Sequence, residues 1–192
     1  LKGDMVFDLN KKDTETLLAR LKESRKDIDK HLGKVDENAR RISGYKEPQN
    51  DLQPFLNGRY QRDGYTVAKI AIRGEGEYAI PFLLFVPDGE GRKYPSIIYL
   101  HPEGKIKEAL PGGEVERLVK KGYVVAAADV LGTGETQSTA ARGLADGYMA
   151  VLIGRSVIGI QAGDIVRVVN YLKTRPEINT DRIGAIAKGN LC

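Results

Sequence analysis

The chain has 192 residues, enough for one sizeable domain plus an additional segment. Its 41% hydrophobic and 29% charged residues are ordinary globular proportions and exclude wholesale disorder. The net charge of +4 is spread out: residues 1–60 hold 13 Lys and Arg against 11 Asp and Glu, leaving 17 against 15. No basic stripe forms, so nucleic acid is not an expected partner.

In chain order, residues 13–43 are helical by pattern. Asp13 is the expected N-cap, Glu15 lies in the first turn and Gly44 is the stop. Leu18, Leu21, Ile28, Leu32, Val35, Ala39 and Ile42 fall on a 3–4 spacing, interrupted at Arg25. Two readings follow: a dimerising coiled coil, giving a homo-oligomer through 13–43, or a helix bent near Gly33 with one face laid on the next domain. The short, broken stripe favours the second. Pro48 and Pro54 mark a polar connector, placing a helical extension at 1–59 and the main domain at 60–192.

From Tyr65 the period changes to two. Tyr65–Ile72 and Tyr78–Val86, flanking Gly74-Glu75-Gly76, read as an antiparallel hairpin, and Pro87-Asp88-Gly89 as a turn. Strands at Ser96–Leu100, Tyr123–Val130 and Ile183–Ala187 then alternate with helices at Gly113–Lys121 and Ala162–Lys173. The unbroken apolar run Tyr123–Ala128 suits a strand covered on both faces. The expected fold class is α/β: a mostly parallel sheet entered through an antiparallel hairpin. Apolar stretches are strand-sized, so no membrane span is expected. The chain opens on Leu1 without a leader pattern, which fits a processed protein and an excerpt of a longer one equally.

Reactive groups in such sheets gather beyond the carboxyl ends of the strands. Three of those ends here are His101-Pro102-Glu103-Gly104, Asp129-Val130-Leu131-Gly132-Thr133-Gly134-Glu135 and Lys188-Gly189-Asn190. With Ile80–Pro87, Tyr94–His101, Gly122–Asp129, Val168–Leu172 and Asp181–Gly184, their order resembles the α/β-hydrolase superfamily, in its acetyl xylan esterase and dienelactone hydrolase-like branch. The resemblance covers about residues 60–192. It implies hydrolysis of a carboxylic ester, such as an acetylated carbohydrate or another small-molecule ester, without a cofactor. It also suggests a periplasmic or secreted setting, since some members of that branch are exported.

In that family the strand after Asp-Arg-Ile ends in Gly-x-Ser-x-Gly, a tight turn that projects the nucleophile. Laid over this pattern, Gly189 takes the nucleophile position, Asn190 follows it, and Leu191 stands where the second glycine belongs. Glycine cannot form an acyl-enzyme. The acid and base follow the nucleophile in this fold, so neither is found in this chain, which then reads as an incomplete hydrolase domain or as a non-catalytic binding module. Two other nucleophiles stay open. Cys192 lies three residues past the turn and otherwise reads as a core thiol. Ser156, in Val151-Leu152-Ile153-Gly154-Arg155-Ser156, follows an apolar run read as a strand, and otherwise is a loop serine near the pocket mouth.

The resemblance puts His101, Glu103 and Gly104 in the oxyanion loop. Pro102 has no N–H, which leaves the Glu103 amide as the expected donor. The Glu103 carboxylate must then turn away or pair with Lys105 or Lys107. Asp129 is expected to turn the chain beneath the pocket, since Gly-Thr-Gly-Glu lacks the rest of a phosphate loop. Asp164 and Arg167, three apart, read as an ordinary ion pair, and His31 as solvent-facing. Two distant histidines and one cysteine offer no metal site.

Overall fold

A computed structural model describes residues 5–49, 51–89, 91–137 and 144–191. The chain divides into two compact units, Leu1–Ile42 and Ser43–Cys192.

In the first unit the helix starts earlier than its pattern suggests and breaks elsewhere. Helix α1 spans Val6–Ser24 and α2 spans Ile28–Ser43. Asp13 lies inside α1, and the Asp8 carboxylate accepts from the Met5 N–H at the start. The break falls at the residues after Ser24, beside the Arg25 that interrupts the apolar stripe, and Gly33 stays helical. His31 is half-buried rather than solvent-facing, with Nδ1 2.9 Å from the Ser24 hydroxyl. Neither helix buries a side chain: Leu18, Ile28, Leu32 and Val35 remain about half exposed.

The second unit is built on six strands: β1 Phe55–Arg62, β2 Tyr65–Arg73, β3 Ala79–Pro87, β4 Tyr94–Leu100, β5 Val124–Ala128 and β6 Ile178–Ala187. Their order across the sheet is β1-β2-β3-β5-β4-β6. The hairpin pairs as expected, Tyr65 opposite Pro87 and Arg73 opposite Ala79. β3 then joins β5 antiparallel, while β5, β4 and β6 run parallel, so the sheet is mixed. β1 extends the hairpin by a strand the sequence did not announce, and the boundary expected at residue 59 falls inside it.

Helix α3 (Glu114–Lys120) covers one face of the sheet, and α5 (Val157–Lys173) packs with the core of the other. On the α5 side Ile72, Ile80, Phe82, Ile98 and Leu100 meet Val168 and Leu172. On the α3 side Tyr65, Val67, Phe85 and Tyr99 meet Val115 and Val119. The five residues of β5 are all buried, as a strand covered on both faces requires. Phe82 is fully buried and meets Tyr171 edge-on at 5.2 Å between centroids. Phe82→Ala removes that contact and leaves a cavity, so urea unfolding should report a loss of about 3–5 kcal/mol.

Candidate functional site

Because β5, β4 and β6 are neighbours in parallel, their carboxyl ends bring three loops together, as the sequence predicts. What joins the first two is the Asp129 carboxylate, 1% exposed in its side chain. Its Oδ1 accepts the Lys105 N–H at 2.5 Å, and its Oδ2 accepts the Glu135 N–H at 2.9 Å. Lys105 Nζ closes the arrangement, 2.6 Å from Asp129 Oδ2 and 2.6 Å from Glu135 Oε1. The backbone lies so close to this carboxylate that a Cβ on Gly134 would collide with it. A Cβ on Gly104 would come within 2.6 Å of Gly134 Cα. The two glycines let the loops close over a buried charge.

The loop after β4 places its polar groups differently from expectation. The Glu103 N–H, expected to face an oxyanion, donates to His101 Nδ1 at 3.1 Å. Gly104 N–H donates to the His101 carbonyl at 2.9 Å. With Lys105 N–H on Asp129, three successive amides are committed to protein acceptors. The bond from Glu103 assigns Nδ1 as an acceptor, so the His101 proton belongs on Nε2. The Glu103 side chain does turn away, to Lys107 Nζ at 2.7 Å, and that hydrogen bond holds its carboxyl below the usual range. Lys105 takes no part in that pairing.

The third loop is a sharp bend. Lys188 N–H still donates to the Leu100 carbonyl at 3.1 Å, but Gly189 turns to φ +59° and opens a short 3-10 turn, Gly189–Leu191. This is the left-handed region, where glycine is at ease and a side chain is strained. A Cβ on Gly189 would meet Pro102 Cγ at 3.4 Å, so the bend faces the loop after β4 and has room for a small side chain. Asn190 is exposed, and Cys192 lies outside the described residues. Lys188 Nζ reaches Glu114 Oε2 at 2.8 Å, which also accepts the Tyr99 hydroxyl at 2.8 Å. These contacts, Lys188 foremost, hold the Glu114 carboxyl low.

Ser156 is elsewhere. The apolar run before it is not a strand but helix α4 (Leu144–Leu152), and Ser156 is the N-cap of α5. Its hydroxyl donates to the Ser43 carbonyl at 2.9 Å and accepts the Gly159 N–H at 3.0 Å. Both roles of the oxygen are filled by structure, so neither the nucleophile nor the pocket-mouth reading holds. Asp164 and Arg167 are both buried, and among the described residues Arg167 Nη1 has no hydrogen-bond partner, so Arg167 acts on Asp164 through its charge and not through a direct bond from that nitrogen. Asp164 accepts the Tyr78 hydroxyl at 2.6 Å and the Leu131 N–H at 3.0 Å, and burial raises its pKa. No cluster of three or more metal-ligating side chains occurs among the described residues.

The sequence reading also missed the pairing of Arg155 with Glu75. Arg155 Nη2 lies 2.7 Å from Glu75 Oε2, and Nη1 grips Oε1, so the fork ties the start of α5 to the β2–β3 turn. Beside the strand ends a cavity of about 700 Å3 opens between the β1–β3 face and the loops after β4 and β5.

No protein-family profile matches the chain. Over 97 residues it is 33% identical to YcjY, an uncharacterized protein of Escherichia coli; the match covers 50% of this chain and 28% of that protein. A Bacteroides fragilis protein provisionally described as an acetyl xylan esterase superposes with a TM-score of 0.69 at 23% identity, covering 86% of this chain and 47% of that one. The acetyl xylan esterase of Paenibacillus sp. R4 superposes with a TM-score of 0.58 at 22% identity, over 79% and 49% of the two chains. That of a Thermoanaerobacterium species gives 0.58 at 18%, over 72% and 45%. The chain therefore spans about half the length of the solved structures it matches. No helix among the described residues is long and apolar enough to cross a membrane.

Two outcomes follow from the buried charges. Lys105→Met strands the Asp129 carboxylate and should cost about 3–5 kcal/mol in chemical unfolding. Arg155 depresses the Glu75 carboxyl below its ordinary 4.5, so its stabilisation is present above that value and disappears as pH falls through the depressed range. The stability difference between the wild type and Glu75→Gln should accordingly be constant near neutrality and shrink on acidification.

Proposed function

We propose that this chain, which has the α/β-hydrolase fold, carries a carbohydrate-ester site of esterase type in which the attacking group is missing from the bend. The observation that carries the reading is Gly189: a residue at φ +59°, between the edge strand β6 and a 3-10 turn, facing Pro102 with space for a side chain it does not have. In an esterase of this fold the side chain at such a bend attacks the ester carbonyl. Here the acyl-transfer step has no nucleophile at that place. The amides of the adjoining loop, committed to His101 and Asp129, are not arranged to stabilise an oxyanion either. Recognition of an ester without turnover is the function these features support, and the acetyl xylan esterases among the structural neighbours make an acylated sugar the leading ligand class.

The test uses p-nitrophenyl acetate and mass spectrometry of the intact protein. The wild type should release nitrophenol at the rate of buffer alone and carry no acetyl group. Gly189→Cys should gain a single acetyl adduct at residue 189, because the bend presents a thiol placed there. Wild-type turnover that Cys192→Ala or Ser156→Ala abolishes would overturn the proposal.

A further inference from the structure

The cavity beside the strand ends is not used by the bend at Gly189, which does not line it. Its floor is the exposed part of the β1–β3 face, and its opposite wall includes Ile106 and Leu110, both more than half exposed. An apolar cleft with a few convergent polar groups is the usual form of a small-molecule site. Beside Arg62, Lys105 and the Glu135 carboxylate that Lys105 neutralises, the polar lining includes Asn57, Tyr60 and Lys69 from β1 and β2.

Their convergence has a local cause. The β1–β2 register slips between Leu56 and Gly58, so Gly58 pairs with Lys69 and Asn57 is the extra residue of a β-bulge. Such a bulge re-aims the side chain it inserts, and Gly58 takes the φ of +140° that the kink requires. Asn57 is thereby added to a lining that already holds Tyr60 and Lys69. Lys69 Nζ stands 5.9 Å from the centroid of the Tyr60 ring, a cation–π contact that orients the ammonium.

The other cations of the cleft are committed. Arg62 Nη1 donates to the Ala109 carbonyl at 2.9 Å and to the Tyr65 hydroxyl at 3.2 Å. Lys105 is held by Asp129 and Glu135. Among the described residues no carboxylate pairs with Lys69, and neither the Asn57 amide nor the Tyr60 hydroxyl has a hydrogen-bond partner. The cleft thus offers one unneutralised ammonium, an amide that both donates and accepts, and a phenol, against an apolar wall.

We infer that this cleft binds an acidic sugar: a hydroxylated ring carrying one carboxylate, with the carboxylate on Lys69, ring hydroxyls on Asn57 and Tyr60, and a C–H face against Ile106 and Leu110. The inference rests on the carbohydrate reading of the neighbouring site and adds the charge of the saccharide. A neutral sugar leaves the ammonium without a counter-ion, and a simple aromatic acid leaves the amide and phenol unused.

The experiment titrates D-glucuronate, D-glucose and benzoate separately into the full chain, followed by amide chemical-shift perturbation. Glucuronate should perturb β1 and β2 around Asn57 and Lys69 and bind more tightly than either control. Lys69→Gln should weaken it about tenfold, as expected for one charge-assisted hydrogen bond. Lys69→Arg should retain it, and Asn57→Ala should weaken it severalfold. Equal binding of glucose, equal binding of benzoate, no glucuronate binding, or perturbations away from the cleft would each overturn the proposal. The acetyl-adduct assay at residue 189 reads the ester site independently, so failure of one reading is distinguishable from failure of the other.

Discussion

The buried Asp129 carboxylate is the constraint on which the carboxyl edge of the sheet depends. It is 1% exposed, so its charge must be met inside the protein. Two backbone amides and one ammonium meet it, and they come from different loops. The loop after β4 is therefore fixed to the loop after β5 by chemistry rather than by packing alone. Gly104 and Gly134 follow from the same demand, because no side chain fits between the backbone and that oxygen pair. Glu135 adds a second carboxylate to Lys105 at the solvent edge, where it contributes less than the buried partner.

That constraint carries over to the bend. With residues 103 to 105 committed to His101 and Asp129, the loop after β4 is set before any ligand arrives. Pro102 then stands beside Gly189 at a fixed distance. On the far side, Lys188 is drawn to Glu114, which also accepts the Tyr99 hydroxyl, and this anchors the end of β6 to the start of α3. The loops after β4 and β5 are thus held in order beside a bend that carries no side chain. An arrangement held by buried charges persists whether or not a ligand is present, because those charges must be satisfied in any case.

Periodicity made the β2–β3 hairpin, β5, α3 and α5 legible in the sequence, since each buries a face that repeats at its own period. It failed where burial and pattern part company. β1 is a polar edge strand, exposed along most of its length and interrupted by Asn57-Gly58, so it left no alternation to read. The run ending in Ile153 has strand-like composition but forms α4, with Val151 and Leu152 exposed. Spacing placed Asp164 and Arg167 together on a helix, yet the partners of Asp164 are Tyr78 and Leu131 from distant segments. Lys105 was legible only as a neighbour of Glu103, because its true partner lies 24 residues away. Gly189 was legible only through the family resemblance, which laid a tight turn over it, and its φ of +59° is that of a bend.

The backbone torsion at that turn bears on which residues can occupy it. A serine or cysteine held at φ near +59° bears a conformational penalty of roughly 1–2 kcal/mol, which an active enzyme must sustain from the rest of its structure. Glycine adopts the same torsion freely, so the bend carries no such strain in this chain. Any replacement of Gly189 by a residue with a side chain would therefore be opposed by the backbone, whatever that side chain could do chemically.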